Sequence, residues 1–598
     1  MSENGIKTIP YGLANYERLV ERNCYYVDKT MYLSTFENAG DYLFFIRPRR
    51  FGKSLFLSVM EAYYDVFYKE RFEELFKETA IYRQPTKERG AYLVLKFNFS
   101  MVDPVMDKVE TSFLNHIKRT ALSFTRKYTD YLLADRESFI KTMEESLSAS
   151  DILSTLISLC RDSGQKLYVV IDEYDNFANT ILSTAGEDAY RKLTHGEGFF
   201  KAFFNVLKGG TDGMGAPFTR LFLTGVSPIT LDDVTSGYNI GKNVSLEPRF
   251  NRMLGFTEND VARMIEYYKE VGLVSQPSGD LLEIMIEWYG NYLFSEEDDV
   301  KIFNPDMVLY FMDNYLTREK IPGNLIDRNV RIDYGKLKHL IIVDQGKRKR
   351  KSINGNFNRL KEIIEKGEIP SDLIEAFPLE KLTDAKNFIS LLFYFGLLTI
   401  KSPGSGELVL TIPNETIRRL YYDYIKEGYD ETDVFAVDLY AYGRLIKGMA
   451  SKGEWKPFID YITGRMRESM SLRDLITGEK SIQAFLNVYL GLSNLYIVHA
   501  EKELNKGYAD IVMEPLLAGN EGISYSYLLE IKYIKADKKR KRPGLGDAGF
   551  LELKARAEAQ LKNYSLDEKF KKNIEKTTLV KLVLIFCGPE LIYYGEVD

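Results

Sequence analysis

Three cysteines, four histidines and two tryptophans in 598 residues leave little room for the chemistry those side chains usually carry. Cys24, Cys160 and Cys587 are too few and too scattered for a disulfide framework or a cysteine-based zinc site, which points to a reducing compartment. His116, His195, His339 and His499 are equally dispersed, and none has a second His or Cys at ligand spacing, so all four read as surface or satisfied core residues. The opening MSENGIKTIP lacks a charged-then-apolar leader, and the longest apolar run, Phe388–Ile400, falls short of the ~20 residues of a membrane span. The expectation is a soluble, cytoplasmic protein with no membrane partner. An excess of positive charge is also missing: 80 Lys and Arg against 86 Asp and Glu give a net charge of -6, which argues against indiscriminate nucleic-acid binding by a basic coat. At 45% hydrophobic and 28% charged residues, the composition excludes disordered and fibrous classes.

What is present is length enough for two to four domains at about 150 residues each. Runs at Tyr42–Ile46, Tyr92–Phe97, Leu167–Ile171 and Leu221–Thr224 are short, nearly continuous and separated by helical sequence, which predicts buried parallel strands in an α/β domain over residues 1–255. The glycine-rich Gly209–Pro217 reads as an exposed loop after a helix containing Phe199–Leu207. From Phe256 to Leu316 the pattern turns helical, with Val261, Met264, Ile265, Leu281, Ile284 and Met285 at helix-like spacing. Within residues 256–430, a helix, a strand at Leu397–Ile400, a Pro-Gly-Ser-Gly turn and a strand at Leu408–Ile412 outline a winged helix. The remaining unit, 431–598, begins with helices, one through Gln483–Leu490, and continues with strands at Ala509–Met513, Tyr525–Ile534 and Thr578–Phe586 around a helix at Leu551–Tyr564.

The sharpest local motif is DYLFFIRPRRFGKSLFLSVM: an apolar strand, a tight loop and an amphipathic helix. A phosphate-binding loop needs backbone N–H groups facing a concavity, a lysine for the β- and γ-phosphates, and a hydroxyl for Mg²⁺. Gly52, Lys53 and Ser54 meet these demands, although Arg47 stands where GxxxxGK[ST] has its first glycine. A Gly-Lys-Ser tripeptide alone also occurs at ordinary helix starts. Its support is KLYVVIDEYDNF, a buried strand ending in Asp172, suited to the Mg²⁺ shell, and Glu173, suited to activating the attacking water. A further strand, RLFLTGVSP, ends in Thr224, polar enough to sense the γ-phosphate. The expected nucleotide-binding set is Arg50, Phe51, Gly52, Lys53, Ser54, Leu55, Asp172 and Thr224, with Ser54 and Asp172 on the metal and Glu173 catalytic.

A second constellation lies in KELNKGYADIVMEP and SYLLEIKYI. Phosphodiester cleavage assisted by Mg²⁺, or by Mn²⁺ in its place, needs converging carboxylates and a cation or base beside the attacking water. Glu530 and Lys532 share a strand face, the Ile531 carbonyl between them can turn toward the metal, and Asp510 can meet Glu530 from the preceding strand; Asp510, Glu530, the Ile531 carbonyl and, further upstream, Glu503 are the candidate metal ligands. An acid followed by acid-x-Lys also arises by chance on solvated strands. This set nevertheless resembles the PD-(D/E)XK core, and Gln560 with Tyr564, four apart on the next helix, resembles the QxxxY element of RecB-type nucleases. The basic runs Lys347–Lys351 and Lys538–Arg542 read as a solvated loop and, for the second, equally as a phosphate contact beside the site.

Taken together, YVDKT (Tyr26–Thr30), RPRRFGKS, VIDEYD, LTGVSP, LGFTENDV, WYGNYLF (Trp288–Phe294) and FNPDMVLYF resemble the prokaryotic AAA-ATPase-like proteins with a C-terminal PD-(D/E)XK nuclease superfamily domain, over nearly the whole chain. The resemblance implies an α/β architecture: an additional-strand P-loop NTPase, a helical and winged-helix-like middle region, and a C-terminal α/β nuclease-like domain. It also implies that Arg47 is a normal form of the loop. Arg249 and Arg252 are candidate arginine fingers, or plain surface charges. The expected function is ATP binding and hydrolysis whose nucleotide state gates a Mg²⁺-dependent nuclease acting on DNA, with RNA second. The alternatives are an ATP-dependent signalling or nucleic-acid-binding switch with a non-cleaving nuclease fold, and a DNA-translocating motor. Self-association is left open.

Overall fold

The computed structural model describes residues 5–598 apart from 134, 186, 196–197, 211–215, 230–240, 331–342, 345–351, 354, 382–383, 403–405, 432–436, 469–477, 494, 517–521 and 536–545. Most of the glycine-rich loop, the Pro-Gly-Ser turn and both basic runs therefore lie outside the described residues. The described chain divides into two compact units, Met1–Glu319 with Pro370–Asn414, and Lys320–Ile369 with Glu415–Asp598.

The first unit is built on five strands: β1 (Tyr42–Ile46), β2 (Leu93–Asn98), β3 (Leu167–Asp172), β4 (Phe218–Gly225) and the two-residue β5 (Lys242–Asn243). Their order is β2-β3-β4-β1-β5, with every neighbouring pair parallel. Parallel strands need crossovers that cover both faces, supplied by helices such as Val109–Lys127, Ala149–Asp162 and Phe199–Gly209. All six residues of β3 are accordingly buried. β4 lies between β1 and β3, the additional-strand arrangement, and all three strands end at the same edge of the sheet. That edge is where ligands bind in open α/β sheets, because the loops that leave it diverge around a crevice.

Helix α1 (Lys53–Tyr64) follows β1 directly. After the sheet come α2 (Glu258–Glu270), α3 (Ser278–Tyr289) and α4 (Pro305–Arg318), all in the first unit. In α2 a capping box between Thr257 and Asp260 sets the start, and Val261, Met264, Ile265 and Tyr268 form the buried stripe. Helix α5 (Ala385–Tyr394) and the short antiparallel hairpin β6 (Thr399–Ile400) and β7 (Val409–Thr411) also belong to this unit, while α6 (Glu415–Glu431) belongs to the other. The helix-hairpin outline is present, but a separate winged-helix domain is not delineated.

In the second unit α6 packs on α7 (Glu479–Gly491), which precedes a mixed sheet of β8 (Tyr496–Leu504), β9 (Gly507–Pro515), β10 (Tyr525–Ile534), β11 (Thr578–Cys587) and β12 (Glu590–Val597) in sequential order. Pairing is antiparallel except between β10 and β11, which are parallel and joined through helix α8 (Ala548–Tyr564). Asn505 and Lys506 both take positive φ in the two-residue β8–β9 turn, as a type I′ hairpin requires. Phe550, Ala557, Leu561 and Tyr564 of α8 close over Val512, Leu528 and Ile585 of the sheet. Among the described residues no helix is long and apolar enough to cross a membrane.

Candidate functional site

At the carboxyl edge of the first sheet, the chain leaves β1 at Arg47 and re-enters helix at Lys53. Gly52 sits between loop and helix with φ of 91°, a left-handed conformation that only glycine adopts without strain. Arg50 shares that conformation at 68° and is held by an ion pair of 3.0 Å to Asp306 at the start of α4. No side chain caps α1, so its first N–H groups and its dipole are left to a ligand. The Phe51 ring turns inward against Tyr292 and Phe294, with ring centroids 5.0 and 5.4 Å away, so this residue faces the loop's ligand through its backbone alone. Leu55 follows in the first turn of α1 and is half-buried.

Lys53 is buried, and its ammonium donates to the carbonyl oxygens of Arg47 and Pro48 at 2.9 and 2.8 Å. Burial pushes its pKa down to about 8 against the opposing pull of Asp172 and Glu173. Ser54 Oγ donates to Asp172 Oδ2 at 2.7 Å, which brings together the hydroxyl and carboxylate chosen for the metal. Asp172 Oδ1 is buried without any hydrogen-bond donor. An anionic oxygen left bare inside a protein costs several kcal/mol, and a divalent cation would remove that cost, so the residues fit Mg²⁺. Glu173 holds a positive φ of 49° and accepts from Asn176 Nδ2 at 2.6 Å. Burial raises its pKa, with Lys53 opposing, which is the direction a water-activating base needs.

Thr224 lies within the core of the sheet. It is 1% exposed, and its hydroxyl donates to Phe45 O at 2.7 Å, bracing β4 against β1. Arg249 is ion-paired to Glu247 at 2.6 Å, and Arg252 makes a two-point bridge to Asp298 at 3.0 and 2.6 Å, both from partly exposed side chains.

In the second unit, β9 and β10 run antiparallel with Ile511 beside Leu529 and Val512 beside Leu528; continuing that register sets Asp510 beside Glu530. Glu530 is 1% exposed, and Lys532 Nζ donates to its Oε1 at 2.7 Å while standing 4.0 Å from Asp510 Oδ2. The Ile531 N–H donates to Asp510 Oδ2 at 2.7 Å, so the backbone between the acid and the lysine points at the second acid. Burial raises the pKa of both carboxyls, and for Glu530 the charge of Asp510 adds to it. For Lys532 burial acts downward, yet the Glu530 bond and the surrounding carboxylates outweigh it and the pKa is raised. Glu530 Oε2 and Gln560 Oε1 are both buried acceptors without a donor. Gln560 Nε2 donates to Tyr564 Oη at 3.2 Å, and Tyr564 feels the charges of Glu530, Asp510 and Lys532, which puts the QxxxY face of α8 at the same site. Bare acceptors next to two carboxylates are what a divalent cation takes up.

Residues 10–235 match the family model described as Predicted AAA-ATPase, and residues 477–596 match the one described as PD-(D/E)XK nuclease superfamily. The chain joins an AAA-ATPase-like domain to a PD-(D/E)XK nuclease superfamily domain. It is also similar to a protein of Azotobacter chroococcum mcd 1 described as "Uncharacterized protein in vnfD 5'region", at 25% identity over 312 residues, 51% of this chain and 52% of that protein. The match thus spans about half the length of that relative.

Not every expected ligand joins the nuclease-superfamily site. Glu503 is exposed on β8 opposite Tyr508, and among the described residues no three His, Cys, Asp or Glu side chains are grouped to hold a metal ion. Two further residues bear on it, one through its charge and one through a hydrogen bond. Glu479, in the first turn of α7, adds its charge to Asp510, Glu530 and Lys532, and the buried amide of Gln483, one turn on, donates to Asp510 O at 2.6 Å. Glu479, Gln483 and Asn487 at four-residue spacing, on a helix that is apolar beyond its first turn, are the signal that would have found them. In the AAA-ATPase-like domain the overlooked residue is Asp175. It is buried and accepts from the Val226 and Ser227 N–H groups at 3.1 and 2.5 Å, fastening the DEYD turn to the loop after β4. A side chain at Gly225 would run into the Tyr174 ring and the Asp175 carboxylate, so the clasp admits only glycine there.

Proposed function

We propose that this chain binds and hydrolyses ATP at Gly52, Lys53, Ser54, Asp172 and Glu173, and that its nucleotide state gates a Mg²⁺-dependent nuclease acting on DNA. The observation that carries the nuclease reading is the grouping of Asp510, Glu530 and Lys532 with the undonated Oε atoms of Glu530 and Gln560. Asp510 and Glu530 would hold the metal in the nuclease site, with Ser54 and Asp172 holding it in the ATP site. When bound, Mg²⁺ or Mn²⁺ supplies charge neutralisation of the phosphate and a lower pKa for coordinated water. Lys532, kept charged by Glu530, orients a water and balances negative charge as it develops on the phosphodiester. Gln560 offers its amide oxygen to the same water, and Tyr564 fixes that amide's orientation. In the ATP site Glu173 takes a proton from water, and Lys53 leaves its loop carbonyls for the phosphates.

A second reading, a nucleotide-dependent switch whose nuclease fold grips nucleic acid without cutting it, is favoured by one observation: among the described residues the site offers two convergent carboxylates rather than three. The two readings separate in one assay of purified protein on plasmid and oligonucleotide DNA and on RNA, in Mg²⁺ and Mn²⁺, with and without ATP, using Lys532→Ala as control. Cleavage that requires metal and Lys532 and that changes with ATP is the expected result. Binding without cleavage under every condition would establish the switch, and cleavage by Lys532→Ala at the parent rate would remove that lysine from the site.

A further inference from the structure

Arg47 occupies the position that the common phosphate-binding loop gives to glycine, but its backbone is not among those with positive φ, so nothing in the main chain there demands glycine. The side chain is 1% exposed, one of the largest fully buried groups in the protein. Its guanidinium donates to the carbonyl oxygens of Ile46 and Phe250 at 3.2 Å each and to that of Ser245. It is also sandwiched between the rings of Phe45 and Phe294, 4.4 Å from each centroid. Charge-assisted hydrogen bonds and cation–π contacts in a desolvated site oppose the cost of burying the cation, although burial still pushes the guanidinium pKa down to about 9. The main chain is tied as well: Arg47 N–H donates to Gly225 O at 3.3 Å, and Arg47 O accepts the Lys53 ammonium. The Phe294 ring that covers Arg47 also covers Phe51, two ends of one loop held by one side chain.

We propose that Arg47 is a positioning residue of the nucleotide site: its buried guanidinium pins the entry of the phosphate-binding loop to Ser245 and Phe250, and so fixes the carbonyl on which Lys53 rests. In the common loop, glycine leaves this entry to be shaped by the backbone alone; here a planar fork does it, its two terminal nitrogens held by three carbonyls and its buried Nε without a partner. This inference rests on the nucleotide-site reading.

The test uses the full chain, with the fluorescent analogue mant-ATP as probe and melting without nucleotide as a control for folding. Arg47→Ala raises the Kd for mant-ATP about tenfold or more, and millimolar methylguanidinium restores affinity while ammonium at matched ionic strength does not. Arg47→Lys keeps the charge but loses the planar fork. It gives an intermediate Kd, with KM for ATP rising more than kcat falls, and it carries the test should Arg47→Ala show no cooperative melting. Parent-like Kd in either folded variant overturns the inference, as does methylguanidinium that raises the melting temperature without recovering Kd. A parent chain that binds no mant-ATP overturns the nucleotide-site reading itself, a failure distinct from parent binding with indifferent variants.

Discussion

Each site holds a lysine, Lys53 buried and Lys532 half-buried, and the two shift in opposite directions. Lys53 rests on the neutral carbonyls of Arg47 and Pro48 and is pushed down to about 8 by burial; Lys532 rests on the Glu530 carboxylate and is raised. Desolvation acts the same way on both, so the partner decides the sign. A lysine held by dipoles alone stands to gain from a nearby anion. A lysine held by a carboxylate is already paired, and it is the carboxylates beside it that are left wanting a cation. The bare oxygens repeat the contrast: Asp172 keeps one, alongside a Ser54 hydroxyl already in place, whereas the nuclease-superfamily domain keeps bare oxygens on both Glu530 and Gln560.

The largest effect expected from this contrast is with Lys53→Ala, which removes the group that the phosphates would recruit. Its ATP hydrolysis falls by two orders of magnitude or more, about what a lost charge contact to a transferring phosphoryl group costs. DNA cleavage measured without ATP stays at the parent level. Equal loss of both activities would mean that the two sites do not behave as separate chemistries.

A smaller effect concerns metal uptake by Asp510 and Glu530. Both carboxyls sit above their ordinary values, so the metal-free site retains proton at neutral pH, and binding must expel it. Mn²⁺ affinity therefore rises with pH, is fully developed once both carboxyls are ionised, and is lost as pH falls toward the ordinary carboxylate range. Calorimetry near pH 6.5 in buffers of different ionisation enthalpy should show release of about one proton per site. Affinity independent of pH, with no proton release, would place the metal elsewhere.

The smallest effect lies on the alkaline side. With Lys53 at about 8, its charged form fades as pH rises through that value, so the Kd for ATP increases between pH 7 and 9, by up to about tenfold per unit above the midpoint. Lys532, raised by its carboxylates, keeps its charge over the same range, and metal-dependent cleavage shows no matching decline from this group. An alkaline fall in cleavage and a flat ATP profile would reverse the comparison.

Much of this was legible in the chain because the relevant signals are local. A strand-loop-helix with Gly-Lys-Ser and a buried strand ending in Asp-Glu each occupy fewer than about 20 residues, where periodicity and turn chemistry are decisive. The strands Tyr496–Leu504 and Glu590–Val597 escaped notice because their outer residues are charged or half-buried and lack a sustained apolar run. The Glu503 expectation followed sequence proximity to Asp510, yet the register pairs it with Tyr508 and leaves it exposed. Glu479 and Gln483 lie some 30 residues before Asp510, and only the packing of α7 against the sheet brings them to it.

The sequence by itself marked the local pieces of two candidate sites: Gly52-Lys53-Ser54 at a strand-to-helix loop, Asp172-Glu173 at a strand end, and Glu530 with Lys532 on one strand face, each a matter of local spacing. Tertiary structure alone decided what surrounds them: that Arg47 is an anchor, that Thr224 is a brace, that Asp175 clasps the loop beyond β4, and that the two lysines shift oppositely. Each of those depends on burial and on partners far away in the chain, and desolvation and its compensation come into being only when distant segments meet.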